Sequence, residues 1–232
     1  MPTNREARRP RLDRARVLAE AIALADAEGL ESLSMRALST RLGVVPMALY
    51  KHVADKEDLV GGMVDAVVAG YGQPSDGGEW RARVRFRVLE ARAAVAVHPW
   101  LGSAIESCTR RTETVFAHMD AVAGEFIDGG VSPDLTHYAM HALGARIWGF
   151  SVEAFDDTDA PTLGDADSPA VVEYMTERFP HVVTIARDAM TRNPAGSCDR
   201  SAEFEFTLDL ILDAVERLHA AGWVSRAPGR VG

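Results

Sequence analysis

The pattern of apolar and polar positions predicts helices along the whole chain. Apolar residues recur at intervals of three and four, and the strict alternation that is typical of half-buried strands is missing. The clearest case is the last segment, where the apolar residues repeat at 4-3-4-3 spacing, as in a seam that packs helix on helix. These positions are Phe204, Leu208, Ile211, Val215 and Leu218. The pattern therefore predicts an all-α protein of nine or ten helices without a sheet.

Capping residues, glycines and prolines divide this pattern into segments. The predicted helices cover approximately residues 12–27, 34–42, 46–53, 55–67, 79–97, 99–107, 110–128, 133–155, 171–192 and 204–221, and the one at 171–192 is either continuous or broken at Pro180. Residues 73–78 read QPSDGG, a run of turn residues, and are predicted to separate two domains at 1–72 and 79–222. Residues 156–168 contain five aspartates and are predicted to form a loop.

The stretch SMRALSTRLGVVPMALYKH, which begins at Ser34, has the order helix, glycine turn, helix. Ser34 suits an N-cap, and Leu38 and Leu42 lie one turn apart on the side that would face a core. Gly43 suits the left-handed residue that ends a helix, and Pro46 suits the first turn of the next one. This is the helix-turn-helix pattern, whose second helix enters the major groove of DNA.

The residues that follow extend the pattern. The run ALYKHV at 48–53, DKEDL at 55–59 and Leu42-Gly43-Val44 together resemble the signature of the tetracycline-repressor (TetR) family of bacterial transcription regulators. The resemblance is dense over residues 12–68. It implies an N-terminal three-helix DNA-binding domain on a larger helical domain that binds a ligand and forms a homodimer. The segment FEFTLDLILD at 204–213 resembles the closing segment of the tetracycline-repressor branch more loosely.

The distribution of charge agrees with DNA contact at one end. The net charge of −9 argues against DNA binding by the whole surface. However, residues 1–60 hold ten basic and nine acidic side chains, whereas residues 61–232 hold fifteen and twenty-five. Residues 1–11, with four arginines, are predicted to be either a solvated tail or an arm that follows phosphates or enters the minor groove.

Two arguments select the candidate DNA-contact residues. Helical spacing makes five side chains project away from the core, namely Arg36, Met47, Ala48, Lys51 and His52. The resemblance implies base or phosphate contact at Arg36, Pro46, Met47, Ala48, Tyr50, His52 and Lys56. Arg36 suits bidentate contact with guanine, and Tyr50 is predicted either to contact phosphate or to support the scaffold. Because Pro46, Met47 and Ala48 are not hydrogen-bonding readers, direct base reading by hydrogen bonds should be sparse.

The resemblance also implies a ligand cavity among the helices of residues 79–221. The predicted lining is Trp100, Met119, Phe126, Met140 and Trp148, with His141 or Arg146 as the polar contact and His98, His118 and His137 as further polar candidates. The alternative is that the apolar members form ordinary core. The predicted effector is a hydrophobic small molecule, aromatic or polycyclic, and the acidic loop at 156–168 is predicted to gate its entry.

Other classes of function find little support. The sequence has no G-x-S-x-G, P-loop, dinucleotide-binding or H-E-x-x-H motif, so no catalytic residue and no cofactor are predicted. His137 and His141 lie four apart and could form half of a metal site, but no matching ligands accompany them, and no metal site is predicted. Cys108 and Cys198 form no disulfide framework. Without a signal peptide or an apolar stretch of about 20 residues, a cytoplasmic protein with no membrane contact is expected.

The sequence therefore predicts a ligand-responsive transcriptional repressor. It should bind a palindromic operator as a homodimer, and a hydrophobic small molecule should release it by shifting the helix that begins near Asp55. The alternatives are a helical DNA-binding regulator that has no natural ligand or acts as an activator and, from a different class, an all-helical enzyme or interaction module.

Overall fold

The computed structural model describes residues 12–75, 77–107, 112–148, 169–192 and 200–225, and of Arg146, Trp148 and Arg200 it describes the backbone alone. Over these ranges the chain forms eleven α-helices, one short 3-10 helix at Leu30–Ser32 and no β-strand. The helices are α1 (Arg14–Glu28), α2 (Met35–Leu42), α3 (Pro46–Leu49), α4 (Lys56–Val68), α5 (Trp80–Val97), α6 (Leu101–Ser107), α7 (Glu113–Asp128), α8 (Pro133–Trp148), α9 (Pro169–Arg178), α10 (Pro180–Arg192) and α11 (Arg200–Ala220). The all-α prediction is confirmed.

Helix boundaries near the N-terminus follow the capping residues. The Ser34 hydroxyl accepts a hydrogen bond of 3.1 Å from the amide of Ala37, and Asp55 accepts one of 2.8 Å from the amide of Asp58. Gly43 ends α2 in the left-handed conformation, with φ at 67°. A side chain at that φ would be strained, so glycine fits this turn.

The second helix of the helix-turn-helix is shorter than predicted. α3 covers only Pro46–Leu49, whereas the apolar pattern predicted a helix to Val53. The amides of His52 and Val53 both donate to the Leu49 carbonyl, at 2.8 and 3.0 Å. The α-helix therefore ends after about one turn, and a tighter turn follows it.

The N-terminal core includes part of the region beyond the predicted domain boundary. Helices α1, α2, α3 and α4 supply side chains such as Val17, Leu38, Leu49 and Met63, which are fully buried. The same cluster contains Trp100, Leu101 and Ala104 of the α5–α6 connection and α6. The described residues up to 148 and from 211 form one compact unit, and those from 169 to 210 form another. The division into domains at 73–78 remains a prediction.

Polar contacts hold the connection between α4 and α5. The amide of Gly72 donates to Glu90 at 2.7 Å, and Arg87 donates to the side-chain oxygen of Gln73 at 3.1 Å. Arg83 donates to the carbonyl of Gly78. The connection is thus tied to α5 at three points.

Three arginines of α5 form ion pairs with neighbouring helices. Arg83 and Arg87 both contact Glu125 of α7, and Arg81 contacts Asp213 and Glu216 of α11. These ion pairs link α5 to α7 and α11.

The second unit contains α9, α10 and the first half of α11. Pro180 occupies the first position of α10 and divides the helix predicted at 171–192 into two. Neither α9 nor α10 buries a residue. Three predicted features lie outside the described residues: the arm at 1–11, the loop at 156–168 and the end of the 133–155 helix. Within the described ranges, no helix is both long and apolar enough to cross a membrane.

Candidate functional site

The predicted DNA-contact residues form an exposed surface on α2, α3, the turn after α3 and the start of α4. Six of the eight are exposed, and Ala48 and His52 are partly buried; the set is Arg36, Pro46, Met47, Ala48, Tyr50, Lys51, His52 and Lys56. The Met47 side chain is 71% exposed and the Tyr50 side chain 48%. Large apolar side chains presented beside cations are typical of a surface that meets a partner.

The cations of this surface are available for phosphates. Arg36, Lys51 and Lys56 make no ion pair with any residue in the described part of the chain. By contrast, Arg41 next to them pairs with Glu20. Phosphate contacts of this kind position a protein on DNA without specifying sequence.

Arg14 fixes the turn that follows α3. Its guanidinium donates to the His52 carbonyl at 2.7 Å and to both oxygens of Asp58, at 3.1 and 2.8 Å. Asp58 also accepts from the amide of Ala54, and the Arg14 hydrogen bond holds the pKa of the Asp58 carboxyl below its usual value. The partners of Arg14 lie 38 and 44 positions further along the chain, so no local sequence pattern reveals this role.

A cavity of about 1030 Å³ lies among α4, α5, α6, α7 and α8. Its walls are mainly apolar and include Val68, Val88, Ile105, Val122 and Leu143. Ligand pockets in proteins commonly measure roughly 300–1,000 Å³ and are lined in this way. Three of the predicted ligand contacts, Met119, Met140 and His141, line it.

Two further predicted contacts, Trp100 and Phe126, are described and do not line this cavity. Trp100 is buried in the N-terminal core, where its indole N–H reaches Asp26. Phe126 is also buried, but it lies two turns along α7 from Met119, against the ring of Trp80 at 5.3 Å. The side chains of Arg146 and Trp148 are outside the described part.

Polar groups reach the cavity at a few points. His118, Thr136 and His137 line it beside His141. Burial, and then the charge of Arg87, lowers the pKa of His118 below its usual value, so its imidazole is neutral near pH 7. The rings of His137 and His141 are 4.6 Å apart, but the described residues contain no group of three or more His, Cys, Asp or Glu side chains placed to hold a metal.

Thr136 was missed by sequence reasoning. It is buried, and its hydroxyl has no hydrogen-bond partner in the described part of the chain. A threonine within a helix gives no sequence signal about the direction of its hydroxyl, so only the structure identifies it.

The cavity is connected directly to α4. Val68, at the end of α4, lines it, and the Thr112 hydroxyl donates to Asp65 one turn earlier. Thr112 is also the N-cap of α7, accepting a hydrogen bond of 3.4 Å from the amide of Val115, which lines the cavity. One side chain thus connects α4 to a cavity wall.

Two family descriptions match this chain over most of its length. Residues 17–63 match the description "bacterial regulatory proteins, tetR family", and residues 73–218 match "tetracyclin repressor-like, C-terminal domain". The chain belongs to the TetR family. It is therefore a transcription regulator of that family, with a helix-turn-helix DNA-binding region and a tetracycline-repressor-like C-terminal domain. Membership favours this regulator over an all-helical enzyme or interaction module.

Individual TetR-family proteins extend the comparison. The class G tetracycline repressor of Vibrio anguillarum is 28% identical over 217 residues, which cover 91% of this chain and 97% of that protein. The repressor DrrR1 of Streptomyces coeruleorubidus is 41% identical over 95 residues, which are 40% of this chain but only 35% of DrrR1. The structure of ActR from Streptomyces coelicolor with actinorhodin has a TM-score of 0.69 at 23% identity, covering 92% of this chain and 100% of ActR. Likeness at that identity shows a shared fold.

Proposed function

We propose that this TetR-family protein binds a palindromic operator as a homodimer and is released from it by a hydrophobic aromatic small molecule. The observation that carries the proposal is the cavity whose wall includes Val68 of α4, because α4 begins at Lys56 on the predicted DNA surface. One helix therefore runs from the predicted effector site to the predicted DNA contacts.

The effector part of the proposal rests on the size and chemistry of the cavity. At about 1030 Å³, it has room for several fused rings, and its walls are mainly methyl, methylene and thioether groups. ActR, which shares the fold, was solved with actinorhodin, and the class G relative is named for tetracycline. These two compounds are the first to test here.

The dimer part rests on apolar surface that one chain leaves exposed. Phe206 and Leu210 lie four apart on α11 and are 66% and 51% exposed. Isologous pairing of α8 and α11 with their symmetry mates would bury such residues. A two-fold dimer presents two α3 helices, which read half-sites about 34 Å apart on one face of the duplex.

The release mechanism is a shift between two dimer shapes. An effector that fills the cavity contacts Val68 and the first turns of α7, and Thr112 connects that helix to Asp65. If the effector binds better when α4 is displaced, the dimer favours the shape whose half-site spacing no longer fits DNA. A differential affinity of a few kcal/mol is enough for such a population shift.

Fluorescence anisotropy tests the proposal. Labelled fragments from the region upstream of the protein's own gene are titrated with protein at several salt concentrations, with and without tetracycline or actinorhodin. We expect operator binding with a steep salt dependence, one dimer per palindrome by sedimentation, and release by an aromatic compound. Operator binding that no cavity-filling compound weakens would instead identify a regulator without a ligand. A monomer bound to DNA would contradict the proposed dimer.

A further inference from the structure

The hydroxyl of Thr136 is a polar group that the fold itself does not use. Thr136 lies in the first turns of α8, is 4% exposed and lines the cavity, and its hydroxyl has no hydrogen-bond partner among the described residues. Buried polar groups are nearly always hydrogen-bonded, because an unpaired one has lost its water without gaining a partner. An exception beside a cavity therefore points to a partner that enters the cavity.

Other helical threonines of this chain donate their hydroxyl to a carbonyl of their own helix. Thr40, Thr176, Thr184 and Thr207 each donate their hydroxyl to the carbonyl four residues earlier, at 2.7–3.0 Å. The backbone amide of Thr136 does bond to the Ser132 carbonyl, at 2.9 Å, but its hydroxyl does not. This hydroxyl is therefore free to both donate to and accept from a molecule in the cavity.

His118 supplies a second polar group from the neighbouring helix α7. Its ring lines the cavity and packs edge-on against Tyr71, with ring centroids 5.0 Å apart. Burial and the nearby charge of Arg87 lower its pKa, so the ring is neutral and offers one N–H and one lone pair.

The remaining lining limits what the ligand can carry elsewhere. Met119, Val122, Met140 and Leu143 offer no strong hydrogen bond. Glu106, Asp120, His137 and His141 also line the cavity, but all four are exposed, so water already solvates their polar groups. A ligand that satisfies this lining is apolar over most of its surface and carries few polar groups.

We propose that Thr136 binds a neutral hydroxyl or carbonyl group of an otherwise apolar, fused-ring effector, and that His118 supplies a further hydrogen bond in the same cavity. Thr136 is then a specificity-determining residue, since a pure hydrocarbon leaves its hydroxyl unpaired. The inference rests on the proposed function, in which this cavity is the effector site.

Two probes that differ by one hydroxyl separate recognition from simple hydrophobic filling. Phenanthrene and 9-hydroxyphenanthrene are titrated with the full-length protein and followed by their own fluorescence. The variants are Thr136→Val, which keeps the side-chain shape but removes the hydroxyl, and the matched control Thr136→Ser, which keeps the hydroxyl. The quantity compared is the affinity for the hydroxylated probe divided by that for the hydrocarbon.

In Thr136→Val this ratio should fall about 3- to 10-fold, the factor expected for one neutral hydrogen bond, and in Thr136→Ser it should stay near the wild-type value. His118→Leu should lower it as well. The thermal midpoint of ligand-free Thr136→Val should be unchanged or higher, because the hydroxyl stabilises nothing in the ligand-free protein. An unchanged ratio, with both probes losing affinity equally and a lower midpoint, would overturn the inference while leaving the effector cavity in place. Failure of both probes to bind the wild-type protein would overturn the cavity assignment and the inference with it.

Discussion

The indole N–H of Trp100 donates a hydrogen bond of 2.6 Å to a carboxylate oxygen of Asp26. The same oxygen lies 2.8 Å from Nδ1 of His98, so the connection between α5 and α6 is held to the end of α1. Ile105, one turn further along α6, lines the cavity. The cavity is thus joined to the N-terminal core through α6 as well as through α4.

The Trp100–Asp26 hydrogen bond should stabilise the fold measurably. A double-mutant cycle with Asp26→Ala, Trp100→Phe and the combined variant should give an interaction energy of about 1–2 kcal/mol in urea unfolding, because the acceptor is charged and the indole is buried. Phenylalanine keeps most of the buried ring. The loss of packing in Trp100→Phe is the same in the presence of Asp26 and in Asp26→Ala, so it cancels in the interaction energy. Strictly additive single effects would contradict a contribution from this contact.

The predicted DNA surface leads to two different mutational effects. Lys56→Ala should weaken binding to all DNA sequences and reduce the slope of log affinity against log salt by about one, because one phosphate contact is lost. Arg36→Ala should cost about 1–3 kcal/mol at one base position if it reads guanine. Both are measured by anisotropy on specific and scrambled duplexes.

The matched control is Arg187→Ala, which removes an exposed arginine from α10. It should leave both affinity and salt slope at wild-type values. If all three variants behaved alike, the helix-turn-helix surface would lose its special role and the assignment of DNA-contact residues would be wrong.

The sequence predicted those parts of the fold that depend on neighbouring residues. Ser34, Gly43 and Asp55 act within one turn of their own position, so capping chemistry predicted the ends of α2 and the start of α4. The period of apolar residues likewise predicted that Leu38 and Val215 are buried.

The composition of the cavity was much harder to predict from sequence. Trp100 has the spacing of a buried residue, but periodicity does not say against which partner it is buried, and Asp26 lies 74 positions earlier. Phe126 shares the inward side of α7 with Met119, yet Trp80 covers it. Thr136 is a candidate ligand contact because its hydroxyl has no partner among the described residues. A sequence pattern cannot indicate that a contact is missing.

The pKa of His118 predicts how stability depends on pH. Burial first, and the charge of Arg87 second, lower the pKa of His118 below its usual value, so the unfolded chain binds the proton more readily than the folded protein does. The contribution of the neutral ring to the free energy of unfolding is fully present above about pH 6.5, and it is lost progressively as the pH falls below that value. His118→Gln should therefore make the unfolding free energy fall less steeply between pH 6.5 and 5, measured by urea denaturation at each pH. Parallel curves for the variant and the wild type would show that protonation of His118 does not destabilise the fold.

Two positions on α11 should separate dimerisation from folding. Leu210 is 51% exposed in the chain, whereas Val215 is 4% exposed. Leu210→Glu should leave a folded monomer in sedimentation at micromolar concentration, because it places a charge in the proposed two-fold contact. Val215→Glu should instead lower the thermal midpoint sharply, because the charge is buried without a partner. A Leu210→Glu protein that remained dimeric would exclude this face of α11 from the interface.

Thr112 should control how strongly the effector affects DNA binding. Its hydroxyl donates to Asp65 of α4 while its oxygen accepts from the amide of Val115, whose side chain lines the cavity. Thr112→Val removes both contacts but preserves the shape of the side chain, and Thr112→Ser retains both. Neither change touches the predicted DNA surface or the interior of the cavity.

In Thr112→Val, operator affinity without effector and effector affinity without DNA should stay close to wild type, while the ratio of operator affinities with and without effector shrinks. Changes at residues that connect two sites typically alter coupling by about 0.5–2 kcal/mol, a factor of about 2 to 30 in that ratio. The ratio is measured by anisotropy with whichever of tetracycline or actinorhodin releases the wild-type protein, and Thr112→Ser should restore it. If Thr112→Val released its operator as fully as the wild type, the hydrogen bond to Asp65 would not be needed. The signal would then reach α4 through Val68 or through the contact of the α5–α6 connection with Asp26. A parallel loss in Thr112→Ser would show that packing of the γ-methyl group, and not the hydrogen bond to Asp65, carries the effect.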